Sequence, residues 1–131
     1  MKIRWTENSV RLRITPSELE ALQRNEIVRE KLGFDEDEQG WSAAIMPNGM
    51  QTSVRLIDGS LLIHLSNADR AQLSDPASEG VYFQQELLQR NLLIRYYIEK
   101  DFPCVHPRAS EALEPQTETF EAPEDFVTRK L

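Results

Sequence analysis

A strand, a helix cap and a short helix recur in this chain at a spacing of 51 residues, and nothing else in the sequence constrains the fold as tightly. Leu12-Arg13-Ile14-Thr15-Pro16-Ser17-Glu18 lies over Ile63-His64-Leu65-Ser66-Asn67-Ala68-Asp69, and Leu22 falls on Leu73. Each copy ends an apolar–polar–apolar strand, sets a hydroxyl at the N-cap, and puts an acid three residues later. In the first copy Pro16 stands at the first helical position, where its fixed φ suits the turn. The recurrence reads either as a duplicated β-α-β-β unit or as a chance return of a common local pattern.

The rest of the chain fills in around these two units. Val10, Leu12 and Ile14 alternate with Arg11 and Arg13, which gives a strand with one apolar and one basic face. The first helix should end near Asn25. Residues 27–34 read as a strand with Arg29 and Lys31 on one face and Val28, Glu30 and Leu32 on the other. The acidic run 35–38 and Gly40 make a solvated loop. Trp41–Met46 is a short strand that Pro47-Asn48-Gly49 should turn into the next one, Ser53–Ile57. Asp58-Gly59 is a second hairpin turn before a strand through Leu65. Residues 81–88 and 92–102 are the last strands, with a turn at 89–91 that has no glycine.

These elements predict an α+β domain over residues 1–102. It should have seven or eight mostly antiparallel strands, strongly curved or barrel-like, and two short helices. Residues 103–131 hold four of the seven prolines and are rich in acids. They read as a tail that folds back on the domain through Phe120 and Phe126, since aromatic side chains are costly to leave in water.

At 131 residues this is one domain, long enough to need no disulfide or metal to stay folded. The single cysteine, Cys104, excludes an internal disulfide. It reads as a small buried apolar residue. No apolar run is long enough to span a bilayer, and no secretory signal opens the sequence, so a reducing cytoplasm is expected. The net charge of −7 argues against a whole-surface nucleic-acid binder. That charge is unevenly spread: residues 1–14 carry Lys2, Arg4, Arg11 and Arg13 against Glu7 alone.

Lys2 and Arg4 share a face by period 2, as do Arg11 and Arg13. Arg95, Tyr97, Glu99 and Asp101 share a face of the last strand. If the two strands are neighbours, carboxylates meet guanidinium groups across the ladder. That arrangement serves either as structural ion pairing or as a site for a phosphate or carboxylate ligand, built from Lys2, Arg4, Arg11, Arg13 and Arg95. Glu99 and Asp101 could together hold Mg²⁺ through oxygens. No serine stands in a nucleophile-elbow setting and no glycine-rich phosphate loop exists, Cys104 could alternatively be a reactive thiol, and lone His64 reads as a packed strand residue.

Met1-Lys2-Ile3-Arg4, Asn8 to Thr15 and Ser17-Glu18, with Glu99-Lys100-Asp101-Phe102, Cys104 and Arg108, resemble the two hallmarks of an uncharacterised family of small bacterial proteins. The order of elements also resembles the CYTH-like triphosphate tunnel proteins. That resemblance implies a barrel lined with basic residues, and a metal-dependent phosphohydrolase. The family's Glu-x-Glu-x-Lys strand is replaced here by Lys2-Ile3-Arg4 and Arg11-Leu12-Arg13. The functions left open are a ligand-binding or regulatory domain with an anion site, a phosphohydrolase using Mg²⁺, and an interaction module acting through the acidic tail.

Overall fold

The computed structural model describes residues 1–33, 40–103 and 118–123. The chain runs through β1 (Lys2–Trp5), β2 (Ser9–Ile14), α1 (Pro16–Gln23), β3 (Val28–Gly33), β4 (Gly40–Gly49) and β5 (Ser53–Ile57). It continues through β6 (Ser60–Ser66), α2 (Asn67–Ser74), β7 (Gly80–Leu87) and β8 (Leu92–Lys100), with a 3-10 turn at Leu88–Arg90 between the last two. The class is α+β, and the order is ββαββ twice over. The ends of α1 and α2 keep the 51-residue spacing of the sequence repeat.

Both helices begin as their cap residues dictate. Thr15 Oγ1 accepts from the Glu18 amide at 3.2 Å, and Glu18 Oε1 accepts from the Thr15 amide at 3.0 Å, closing a reciprocal capping box. At the second copy Ser66 Oγ accepts from the Asp69 amide at 3.0 Å. Asp69 is one methylene shorter than Glu, and here Thr52 bridges instead: its hydroxyl accepts from the Ser66 amide and donates to Asp69 Oδ2. Thr52 stands 51 residues after Met1, whose amino group donates to Glu18 Oε2 at 2.8 Å. The repeat therefore extends to the residue that precedes the first strand of each half.

The strands form two four-stranded sheets, β1-β2-β8-β7 (sheet A) and β3-β4-β6-β5 (sheet B). Every hairpin is antiparallel, but the central pair of each sheet, β2–β8 or β4–β6, is parallel. Each sheet thus takes one hairpin from each half of the chain. Replacing β1, β2, β3 and β4 by β5, β6, β7 and β8, and the reverse, turns the strand order of one sheet into that of the other.

The expected single, strongly curved or barrel-like sheet is not what forms. Local hairpin signals suggested one continuous antiparallel ribbon, whereas the hairpins pair across the halves and leave β1, β7, β3 and β5 as edges. Pro47-Asn48-Gly49 is the clearest departure. It lies inside β4, where the register against β6 shifts between Met46 and Gly49, and Asn48 takes a left-handed φ of 73°. Asparagine tolerates that conformation in a bulge as readily as in a hairpin. Asp58-Gly59 does form the expected two-residue turn, with positive φ at both residues.

One apolar cluster draws on both sheets and both helices. Leu12, Ile14, Ile98 and Val81 of sheet A meet Val28, Ile45, Ile63 and Leu65 of sheet B, and Leu19, Leu22 and Leu73 close over them from the helices. Because side chains alternate along a strand, burying these residues fixes which face of each sheet remains outside.

Candidate anion-binding face

The register of sheet A brings the predicted site residues onto its outer face. Arg4 pairs with Arg11 and Lys2 with Arg13 across β1–β2. Across β2–β8, Ser9 pairs with Arg95, Arg11 with Tyr97 and Arg13 with Glu99. Tyr82 of β7 stands opposite Tyr97. Leu12, Ile14 and Ile98 alternate with these residues and point into the core, so Lys2, Arg4, Arg11, Arg13, Arg95, Tyr97 and Glu99 share the other side.

Two of these cations are already partnered. Arg11 Nη1 lies 3.2 Å from Glu99 Oε1, and its guanidinium sits 4.4 Å from the centre of the Tyr97 ring. Lys2 Nζ lies 3.0 Å from Asp101 Oδ2, whose residue is only 2% exposed. Arg4, Arg13 and Arg95 are exposed, and among the described residues no carboxylate pairs with them. A shallow hollow of about 190 Å³ adjoins Arg95, lined also by Tyr82, Gln84, Tyr97, Phe83 and Tyr96.

The tyrosines give the face its second character. Tyr82 and Tyr97 meet edge to face with ring centres 5.4 Å apart. Burial, followed by the nearby charges of Glu99 and Glu79, raises the Tyr82 phenol above its ordinary value. At neutral pH it is therefore an O–H donor beside the cations.

Glu99 and Asp101, the predicted metal pair, are each held by a cation instead. Among the described residues no three histidine, cysteine, aspartate or glutamate side chains gather to hold a metal ion. His64 lies on the outer face of sheet B, paired in register with Met46 and Ser53. Cys104, His106, Phe126 and the acidic run 35–38 lie outside the described residues.

Within residues 118–123 the sequence pointed to Phe120 but not to Glu118. Glu118 accepts from the Ser17 amide at 2.6 Å and from its hydroxyl at 3.0 Å, at the first turn of α1. Those hydrogen bonds hold the Glu118 carboxyl below its ordinary range. The Phe120 amide donates to the Asp101 carbonyl at 2.9 Å. Its ring lies 6.1 Å from that of Phe102 and 5.7 Å from Lys100 Nζ, and it packs on the core. Burial lowers the Lys100 pKa. The sequence signal for Glu118 was only its place two residues before an apolar aromatic.

The chain belongs to a family of unknown function, DUF7009, whose model matches residues 1–124. No curated protein and no solved structure matches it. No helix among the described residues is long and apolar enough to cross a membrane.

Proposed function

We propose that this protein is a ligand-binding module that takes a small anion, a phosphate or a carboxylate, on the outer face of sheet A. The observation that carries this reading is the set Arg4, Arg13 and Arg95. These three exposed guanidinium groups share one sheet face and have no carboxylate partner among the described residues. Arginine offers a planar fork of donors that matches both ligand classes. Arg11, tied to Glu99 and stacked on Tyr97, serves as a fixed base for its neighbours. Tyr82 adds a neutral donor at the rim.

A phosphohydrolase reading has less support, since Glu99 and Asp101 are engaged by Arg11 and Lys2. An acidic-tail interaction module is weakened by the intramolecular contacts of Glu118 and Phe120.

Thermal unfolding with pyrophosphate or citrate, with and without Mg²⁺, tests the proposal. At a hundredfold excess over Kd a ligand adds about 2.7 kcal/mol of stability. The triple variant Arg4→Ala, Arg13→Ala, Arg95→Ala should fold and lose that gain. Equal stabilisation of the variant, or none of the parent, overturns the assignment. A gain that requires Mg²⁺ would favour the hydrolase.

A further inference from the structure

The geometry points to a second anion-binding face, on the outside of sheet B, that takes an elongated ligand carrying an anionic group at each end. It rests on the same chemistry as the proposed function but on different residues.

The two sheets correspond through the 51-residue repeat, so the outer face of sheet A has a counterpart. Arg4 corresponds to Arg55, Arg11 to Leu62 and Arg13 to His64. On sheet B, Arg29 pairs with Ala44, Ala44 with Leu62, and Leu62 with Arg55. These four residues form one rung across the whole sheet, with a guanidinium at either edge. On the neighbouring rung Lys31 pairs with Ser42 and Ser42 with Ser60, and the two serine hydroxyls are 2.6 Å apart.

The accessible surface between the arginines is therefore Leu62 with Ser42 and Ser60, apolar and hydroxylic. Ala44 is buried and Leu62 half-buried, while Arg29 and Arg55 are exposed. The acid of β3, Glu30, lies on the opposite face, towards the Met1 amino group. Among the described residues neither Arg29 nor Arg55 has a carboxylate partner. Their strands are three spacings apart, about 14 Å. A ligand that reaches a guanidinium at each edge with its middle on this surface needs an anionic group at each end. A linear molecule with two terminal anions and an aliphatic or hydroxylated middle can lie along the rung.

Sheet A differs in the same positions. There Arg4 and Arg11 are adjacent and the far side of the rung is Tyr97 and Tyr82. Four of its five cations stand on the neighbouring strands β1 and β2, with Arg95 on β8, and suit a compact anion. The two faces are thus related by the repeat but selective for ligands of different length.

The test is a titration of the isotope-labelled protein with azelate, a linear dicarboxylate, followed by amide shifts, with acetate as the monovalent control. Azelate should move Arg29, Ala44, Leu62 and Arg55 at concentrations at least tenfold below those acetate needs. Arg29→Gln with Arg55→Gln should abolish that response, and a circular dichroism spectrum like the parent's would show the variant folded. The triple variant of sheet A should retain it. Shifts confined to sheet A, or no preference for azelate over acetate, overturn this inference. Shifts on sheet B with none on sheet A for any anion leave it standing and overturn the proposed function instead.

Discussion

Gln23 Nε2 donates to Ser74 Oγ at 2.9 Å, and these two residues, the last of α1 and of α2, are repeat equivalents. A contact between equivalent positions marks where the local two-fold relation passes through the molecule. Leu22 and Leu73, one residue earlier in each helix, both lie in the common core. The helices meet at the axis, and the two basic sheet faces are disposed around it.

The caps on either side of that axis should contribute measurably. Thr15→Ala removes the acceptor for the Glu18 amide and should cost about 1 kcal/mol. Thr52→Val should also destabilise, because it leaves the Ser66 amide and Asp69 without their bridge. Urea denaturation gives both values. Parent-like midpoints for both variants would mean that the caps carry no weight in the folded protein.

Gly80 should be intolerant of any side chain. A Cβ there would sit 2.5 Å from the Ile98 carbonyl oxygen and 3.0 Å from Glu99 Cα. Both are β8 backbone, in the strand that carries Arg95 and Tyr97. Gly80→Ala should therefore destabilise by about 1–3 kcal/mol through forced displacement. The same variant should weaken anion binding on sheet A, which phosphate titration measures.

Glu99→Gln should strengthen anion binding. It releases Arg11 from its carboxylate and removes a negative charge from the face. Affinity for pyrophosphate should rise about fivefold, equivalent to roughly 1 kcal/mol for a surface pair. The gain should shrink as salt is raised. Calorimetry at two salt concentrations tests it, and unchanged or weaker binding would count against the site.

Docking of residues 118–123 should fail in acid. The Glu118 pKa is lowered in the folded protein, so its contribution is fully present above the ordinary carboxylate range. It is lost as pH falls through the lowered folded value. The Ser17 amide resonance should follow this transition, with a midpoint below that of an unperturbed glutamate. In Glu118→Gln the transition should vanish. A Ser17 midpoint at or above the ordinary glutamate value contradicts the contact.

Much of this fold was legible locally. The two caps, the Asp58-Gly59 turn and the basic face of β2 follow from chemistry within a few residues of each other. Period 2 also placed Arg95, Tyr97 and Glu99 on one face correctly. What local chemistry could not convey was partner choice. Nothing in Val10–Ile14 states that it will lie parallel to β8 rather than in one antiparallel ribbon, and Asn48-Gly49 carries the same signal in a bulge as in a hairpin. The face on sheet B was accessible in principle. Carrying the repeat eight residues back from Leu12 and Ile63 puts Arg55 over Arg4, provided that the repeat is extended beyond its capping segment. Glu118 was not accessible, because an acid in an acidic tail has no distinguishing pattern.

The exchange of hairpins between halves also bears on how the protein is made. A ribosome delivers β1, β2, α1, β3 and β4 first, yet neither sheet can be completed from them. Sheet A needs β8 at its centre, and β8 is the last strand to emerge. Until then β2 exposes an open edge and Leu12 and Ile14 lack Ile98. Pairings this distant in sequence close late and slowly. The nascent N-terminal half is consequently the stage at which this chain is most open to mispairing with a neighbour, and a stop codon anywhere before Lys100 should yield no folded remnant.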